Sequence, residues 1–507
     1  MARRALLRAS IVLVTLFLLI WAAGNVFLMT PLLRRILSSD PESLVVSYDQ
    51  AFMPWPGRVV ARNLRLRTRD SNVEFQIVLR EVRLDVSLVE LLSRRFHVRR
   101  LEGSGLSFRL RERLLDSEVA LAALHPPIEG YPSPAMRARV ETPSRPSPKA
   151  FRLVFSSIAI EELHELWIDS LRFSGSGRVA GAFMLVSGTE AEVSPSTLTF
   201  ESGIVATGGD VLFSTFTGVV SARIPRWSSP EFPGNAVLGL VDGDLCLNAA
   251  ITRTAALSAL FERAGGPPLA NGSASVSLDA RFEKGKGNGR FGAEARNVLV
   301  KLAASPFRFS LSAHGPLPEI ALEHQRFTNA RGRLTLDGRA NTPDAPPFRA
   351  VAAVLGDADL KTASLSGSFG GWASDARPIV SLTGLSLPFF AKGILKLDEP
   401  LTTRFHIAVS PGLLGISRLD AKGGGFRLSG ELSMKSPPGR KAGGPTRFAL
   451  LLENRLKDLG LDGTGAGEPK IRVFGVHRWF ENRDVLSKPV VRVSTAQRGT
   501  RIAMSRP

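Results

Sequence analysis

Alternation of apolar and polar residues with a period of two constrains this chain more than any other feature of its sequence. In residues 273–283, SASVSLDARFE, every second side chain from Ala274 to Phe282 is apolar, and residues 425–435 repeat the pattern. Successive side chains of a β-strand point to opposite faces, so this pattern predicts strands with one apolar and one polar face. Gly, Asn, Asp and Pro residues separate the runs, as the turns of an antiparallel meander require.

The alternation changes phase once within residues 75–88. The apolar positions are odd-numbered before Arg80-Glu81 and even-numbered after it: Phe75, Ile77 and Leu79, then Val82, Leu84, Val86 and Leu88. A bulge or tight turn at Arg80-Glu81 would return both sets to one face.

Helical periodicity is confined to short segments. Residues 87–92 predict one or two helical turns, residues 254–264 predict the clearest helix, and residues 477–482 predict a marginal one. The regular alternation of strand and helix that builds a parallel α/β sheet does not occur. The predicted fold class is mostly β: a long curved antiparallel β-groove with few short helices.

The composition excludes most kinds of catalytic and metal site. The chain has one Cys and seven dispersed His, and it contains no phosphate-binding, zinc-protease or nucleophile-elbow motif. Cys246 is expected to be a small buried hydrophobic residue, and Asp242-Gly243-Asp244 to be a hairpin turn rather than a calcium site. We therefore predict no enzyme activity, no cofactor and no metal.

The net charge of +19 raises the question of nucleic acid binding. Many of the basic residues alternate with apolar ones along strands, among them Arg65, Arg67, Arg69, Arg109, Arg111 and Arg113. The chain also has only two Tyr that could stack on bases. No nucleic acid partner is predicted. Two interpretations of a basic outer sheet face stay open, contact with anionic headgroups or glycans and a solvated surface that resists edge aggregation.

The N-terminus predicts a membrane anchor. Residues 11–29, IVLVTLFLLIWAAGNVFLM, carry no charge and only one strongly polar residue, Asn25. A helix of this length just crosses a hydrocarbon core of about 30 Å. The residues predicted to represent this membrane anchor are Ile11, Leu16, Leu19, Trp21 and Phe27. A cleaved signal peptide ending near Ala22-Ala23-Gly24 is the alternative. Either origin places the rest of the chain outside the cytoplasm.

Breaks in the pattern predict the organisation of the chain. Residues 125–150 hold seven Pro and predict a linker or exposed loop, and residues 436–446 predict a basic Gly/Pro loop. The predicted segments are 1–40 (membrane anchor), 41–124 (N-terminal β module), 125–150 (linker), 151–435 (repetitive antiparallel β-groove), 436–446 (loop) and 447–507 (C-terminal strands and basic tail).

The apolar sheet face needs a cover. The sheet can close on itself, pair as a sandwich, or line a groove that holds acyl chains, each CH₂ contributing about 0.8 kcal/mol on burial. Helices are too few to cover it. The groove interpretation predicts that lipid contacts these apolar side chains: Leu64, Leu66, Phe75, Ile77, Leu79, Val82, Leu84, Phe108, Leu110, Val276, Leu278, Phe282, Phe426, Leu428 and Leu432.

Residues 48–112 carry a resemblance to a known family. The turn Pro54-Trp55-Pro56-Gly57, the strands of residues 59–67 and 75–86, the short turn 87–92, and the strand pair of residues 96–101 and 105–110 follow the anchor directly. This order resembles the N-terminal module of AsmA-like envelope proteins, relatives of TamB and of chorein-type lipid-transfer proteins. Residues 419–432 resemble the closing repeat of such proteins.

The resemblance implies a curved antiparallel groove anchored in the inner membrane, with the bulk of the chain periplasmic. It further implies membrane lipids and outer-membrane or envelope proteins as partners, in phospholipid traffic and outer-membrane biogenesis. A scaffold that holds outer-membrane protein strands at its sheet edges is the first alternative. A glycan-binding or glycan-modifying enzyme is the second.

Overall fold

The computed structural model shows a protein that is mostly β, with about 80% of the described residues in strands and a large open antiparallel sheet. This part of the fold prediction is confirmed. The structure describes these residues: 15, 17–19, 21–30, 44–69, 73–91, 93, 95–112, 123–131, 152–186, 190–228, 231–232, 234–254, 258, 269–301, 306–340, 347–359, 364–374, 400–410, 413–423, 426–435, 446–454, 457–464, 470–476, 490–496 and 499–505.

The chain divides into two compact units. The first comprises Met1–Ala249 with Arg281–Gly285, and the second Ala250–Ala280 with Lys286–Pro507. The first strands in chain order are β1 (Leu44–Ser47), β2 (Gln50–Trp55), β3 (Arg58–Arg69), β4 (Val73–Val86), β5 (Arg95–Glu112), β6 (Arg152–Ile168), β7 (Leu171–Val186), β8 (Glu190–Thr207), β9 (Asp210–Phe213), β10 (Thr215–Ser228), β11 (Asp242–Ile251), β12 (Leu269–Ala270) and β13 (Ser273–Glu283).

The remaining strands are shorter towards the C-terminus. They are β14 (Lys286–Lys301), β15 (Pro306–Ala321), β16 (Arg326–Ala340), β17 (Pro347–Asp359), β18 (Ser364–Ala373), β19 (Leu401–Ser410), β20 (Leu413–Gly423), β21 (Phe426–Lys435), β22 (Thr446–Asn454), β23 (Lys457–Thr464), β24 (Lys470–Val476), β25 (Val490–Ala496) and β26 (Gly499–Ser505). Strand β13 begins and ends at the same residues as the alternating run 273–283.

Neighbouring strands of the sequence are neighbours in the sheet of each unit. In the first unit β3 pairs with β1, β2 and β4, and the order continues through β5, β6, β7 and β8 to β9 and β10. In the second unit β14 to β24 pair in succession, each antiparallel to the next. Strands β25 and β26 form a hairpin.

One pair departs from the expected antiparallel order, because β5 and β6 are parallel. Parallel neighbours need a crossover connection of about a dozen residues or more. Residues 113–151 connect these strands and are long enough to return to the same end of the sheet. The Pro-rich composition marked this break, but it did not reveal the change of strand direction.

Helices are short in the described residues. Residues 15, 17–19 and 21–29 are helical and form α1, and Leu88–Leu91 form α2. The predicted turn at residues 87–92 is thus confirmed as a single helical turn. Gly234–Leu240 form a 3₁₀ helix. The predicted helices at 254–264 and 477–482 lie outside the described residues, apart from Thr254 and Ser258. Among the described helices, none has the length and apolar character needed to cross a membrane.

A line of phase slips crosses four adjacent strands of the first unit. The predicted slip in β4 is confirmed, because the ladder passes from Leu79 to Glu81 and skips Arg80. Strands β3, β5 and β6 carry an extra residue at the same level: Asn63, Gly105 and Glu162. These three residues have positive φ angles of 50°, 70° and 60°. We call Asn63, Arg80, Gly105 and Glu162 the phase-slip line.

The phase-slip line shapes the first unit. An extra residue bends its strand, and four at one level bend the sheet along a single line without shifting the register between strands. The apolar side chains on either side are among the most buried in the protein, with Val82 at 0% and Leu163 at 1% exposed. Arg80 and Glu162 form an ion pair along the line.

Gly105 offers a direct test of this line. A Cβ at Gly105 would lie 2.7 Å from the Arg80 Cβ, and the φ of +70° already disfavours any side chain. We expect Gly105→Ala to lower the free energy of unfolding by about 2–4 kcal/mol, as strain and overpacking add. Urea unfolding of the full chain, followed by circular dichroism, measures this.

Gly209→Ala is the matched control. Gly209 has a φ of +91° but no atom within 4 Å of an added Cβ, so only backbone strain of about 1 kcal/mol is expected. Equal losses in the two variants would show that contact across the phase-slip line contributes nothing.

Candidate functional site

Apolar side chains of the first unit line up in continuous rows across the strands. One row takes a single residue from each of seven neighbouring strands: Leu66, Ile77, Phe108, Leu166, Phe173, Val205 and Phe213. On the other side of the phase-slip line a second row consists of Ala61, Val82, Gly103, Ile160, Val179, Leu198 and Val220. Strands lie about 4.8 Å apart, so a row extends for about 30 Å.

Burial is high next to the phase-slip line and falls towards the strand ends around Ile168 and Leu171, whereas Val86 and Val98, near the opposite strand ends, are buried as well. Leu79, Leu106 and Leu163, next to the phase-slip line, are buried. The outer rows are open, since Ile168 is 42% and Leu171 51% exposed. Because the sheet bends along its middle, side chains there pack on one another, while those at the strand ends around Ile168 and Leu171 stay accessible. This apolar face, which is assembled from bulky side chains on many strands of the first unit, is the candidate site.

The structure brings together the lining residues predicted on β3, β4 and β5. Leu79 and Val82 belong to the buried hydrophobic core, and Leu64, Ile77 and Leu84 pack against it. The other four are half-buried: Leu66, Phe75, Phe108 and Leu110. Phe75 and Phe108 stack with their ring centroids 6.1 Å apart. The predicted set therefore includes both the floor of this face and its accessible part.

Sequence reasoning missed the continuation of this face onto β6–β10. Phe155 and Phe183 stack at 4.7 Å, and Phe173, Phe200 and Phe216 contact one another through edge-to-face and tilted rings. Each of these strands alternates, but extra residues interrupt the alternation, as at Phe155–Ile158 opposite Phe183–Gly181. Aromatic positions separated by such interruptions are hard to assign to one face from sequence.

The second unit has a separate apolar face made of smaller side chains. One row runs through Ala293, Ala313, Leu334, Ala352, Gly371, Thr403, Ala421, Leu428 and Leu452. Among the predicted lining residues, Leu428 is buried and Leu278 half-buried, whereas Val276 is 41% exposed. The backbones of Phe426 and Leu432 belong to β21, and Phe282, in the first unit, is buried.

The polar side of the first unit holds a buried ion-pair cluster. Glu74 is fully buried, with its Oε2 2.7 Å from Arg111 and its Oε1 3.1 Å from Arg69. Arg111 also donates to the carbonyl of Pro126, and the Arg67 and Arg69 guanidiniums each lie 5.6 Å from the Tyr131 ring centroid. These arginines, expected to form a basic outer face, fasten residues 123–131 onto the sheet.

A second cluster on the same side surrounds Glu165. Its carboxylate accepts hydrogen bonds from Ser107 at 2.7 Å and Arg109 at 2.9 Å, and Arg172 lies 2.8 Å away. Both arginines lie over the Trp167 ring. Burial works to raise the pKa of Glu165, but the hydrogen bonds and the two guanidinium charges outweigh it, and the pKa lies below its ordinary 4.5.

His97 joins three elements near one end of the strands. Its Nδ1 lies 2.6 Å from Glu90 of α2 and its Nε2 2.7 Å from the Ser156 hydroxyl of β6. The hydrogen bond from His97, with the charges of His97 and Arg95, lowers the pKa of Glu90. A carboxylate, a histidine and a serine hydroxyl in this order also form the catalytic triad of serine hydrolases. Here Arg95 also binds the carboxylate, at 3.1 Å, and the contacts explain how α2 is held against the sheet.

Two expectations about β11 are wrong. Asp242-Gly243-Asp244 begins the strand instead of forming a hairpin turn. A Cβ at Gly243 would lie 2.0 Å from the Ser221 carbonyl oxygen, so this glycine permits close approach of β10. Cys246 is exposed rather than buried, because its neighbours Leu245 and Leu247 take the half-buried positions. In the described part of the chain no cluster of His, Cys, Asp and Glu could hold a metal ion.

Comparisons of the chain with protein-family models, with curated proteins and with solved structures give no match.

Glu165→Gln should destabilise the protein in a pH-dependent way. A carboxylate with a lowered folded-state pKa stabilises the fold above its ordinary pKa, and this contribution is lost as the pH falls through the lowered value. We expect a loss of about 1–3 kcal/mol at pH 7 that shrinks as the pH falls below 4.5.

Denaturant unfolding at several pH values measures this difference, with Glu201→Gln as the control. Glu201 pairs with exposed Arg178, and such surface pairs contribute about 0–1 kcal/mol. A loss for Glu165→Gln that is the same at pH 4 and pH 7 would contradict the electrostatic explanation.

Proposed function

We propose that this protein binds lipid acyl chains on the apolar face of its first unit and shields them during phospholipid transfer between membranes. The observation that carries the proposal is the set of uninterrupted apolar rows that are buried beside the phase-slip line and accessible at the strand ends around Ile168 and Leu171. Such a face offers hydrocarbon a continuous path without a fixed polar contact. The resemblance of residues 48–112 to AsmA-like proteins supports the same function, with an inner-membrane, periplasmic location.

The dimensions of the face suit an acyl chain. A row of about 30 Å is twice the depth of one bilayer leaflet, about 15 Å, so a tail can lie along it fully extended. The accessible side chains are aliphatic or aromatic, including Leu66, Ile77 and Phe108. Their affinity for a tail comes from removing apolar surface from water. No single contact decides it, and a lipid can move along the row.

The second unit supports a narrower version of the same role. Its central row is rich in Ala and Gly, and the stacked rings of Phe369 and Phe405 lie 4.9 Å apart beside it. Small side chains make fewer packing contacts than large ones, and a bound tail would add to these contacts.

Site-specific photocrosslinking tests the proposal. A benzophenone amino acid replaces Phe108, a half-buried member of a row, or Arg178, whose side chain on the polar side is 67% exposed. We expect phospholipid adducts from position 108 and none from position 178, identified by mass spectrometry after irradiation of cells that express the full chain.

Adducts of position 108 with its own chain alone would overturn lipid binding on this face. Adducts with outer-membrane protein strands, without lipid, would favour the scaffold function instead.

A matched pair on β21 tests the second unit. Leu428 is 4% exposed, and its neighbour Arg427 points to the other side and binds Asp420 at 2.7 Å and 3.2 Å. Leu428→Asp buries a charge, and we expect it to remove most bound phospholipid. Arg427→Ser loses an exposed ion pair of about 0–1 kcal/mol and should keep the lipid.

Lipid-to-protein ratios from mass spectrometry, taken on the protease-resistant fraction, compare the two variants. Equal lipid loss in both would contradict the assignment of faces in the second unit.

A further inference from the structure

The helix α1 is fastened to the sheet by an amide clamp. The Asn25 side chain donates from Nδ2 to the Met53 carbonyl and accepts at Oδ1 from the Met53 N–H, both at 2.9 Å. The Tyr48 hydroxyl donates to the Leu28 carbonyl at 2.7 Å. Leu28, Tyr48 and Met53 are buried. The one strongly polar residue of the apolar N-terminal run thus completes the hydrogen bonding of a β2 residue.

The opposite half of α1 is apolar and uncovered. At about 100° per residue, the side chains that point away from β2 cover about half of the helix circumference, and none is charged. Its exposed large members are Leu18, Leu19, Val26, Phe27 and Met29. A groove in a partner protein is filled by a narrow stripe of anchors. A surface this wide and uniformly apolar suits immersion in a lipid phase.

The turn between β2 and β3 extends this surface. Trp55 is 61% exposed, and its ring lies 4.9 Å from the ring of Phe17 in α1. Trp55 pairs with Arg58 across the two-residue turn Pro56-Gly57. Aromatic rings beside a basic residue are typical of segments at the boundary between hydrocarbon and headgroups.

We propose that α1 and the β2–β3 turn form one rigid bilayer-docking surface, and that Asn25 acts as the positioning residue that holds them together. The partner is the lipid bilayer itself, with Trp55 at its hydrocarbon boundary. This deepens the proposed function and rests on it, because the clamp sets the apolar rows of β3 and β4 at a fixed position relative to the lipid they would take up.

The test places an environment-sensitive fluorophore at Trp55. The full chain carries Cys246→Ser and Trp55→Cys, is labelled with a nitrobenzoxadiazole dye, and is mixed with phosphatidylethanolamine–phosphatidylglycerol vesicles. Val211→Cys, at a position 40% exposed on β9, is the control. We expect a blue shift and a rise in emission at position 55 on vesicle binding, and no change at position 211.

Asn25→Leu separates anchoring from positioning. Leucine makes α1 more apolar, so the variant should still float with vesicles. The loss of the two hydrogen bonds between Asn25 and Met53 should weaken docking of the β2–β3 turn onto α1 about tenfold or more. The emission of the dye at position 55 should then approach its value in water. Tyr48→Phe, which removes one hydroxyl, should give a smaller decrease and confirms the trend if Asn25→Leu folds poorly.

Each outcome decides the proposal. A dye at position 55 that stays in water on vesicle-bound chain, or emission that is unchanged by both Asn25→Leu and Tyr48→Phe, overturns it. Failure of the proposed function is distinguishable, because co-purified phospholipid is measured separately. A shift at position 55 without co-purified lipid keeps the docking surface and removes lipid transfer, and co-purified lipid without a shift does the reverse.

Discussion

An extra residue at one level of four neighbouring strands is the constraint on which the first unit depends. Alone, a phase slip would move half of a strand's apolar side chains to the wrong face. Repeated at Asn63, Arg80, Gly105 and Glu162, it leaves the register intact and bends the sheet. The bend buries side chains such as Val82 and Leu163 in the middle of the strands and leaves the strand ends around Ile168 and Leu171 open. A core and an accessible apolar surface therefore arise from the same strands.

The two sides of this sheet have divided roles. The polar side is held together by ion pairs, because Glu74 and Glu165 each bind two arginines. The Arg111 guanidinium also holds residues 123–131 in place. Buried ion pairs add little net stability compared with apolar packing, but breaking one leaves an uncompensated charge. The ion pairs on this side therefore fix residues 123–131 against the sheet, while on the apolar side Ile168 and Leu171 stay exposed.

Local features were predictable from sequence, and long-range ones were not. The order of apolar and polar residues along the chain predicted β13, the slip at Arg80 and the turn at Leu88–Leu91, because each of these features depends on a few consecutive residues. The parallel pairing of β5 with β6, the alignment of Gly105 with Arg80, and the partners of Glu74 depend on residues far apart in sequence. Cys246 was misplaced because two flanking leucines occupy the inward positions. The division near residue 250 had no compositional mark.

The central claim is that foreign hydrocarbon occupies the apolar face of the first unit. The most direct measurement is an electron cryomicroscopy structure of the full chain purified from membranes without added lipid. We predict elongated density along the row from Leu66 to Phe213, not connected to any side chain. Rows from the two sides of the bend in direct contact, with no room for an acyl chain between them, would contradict the account.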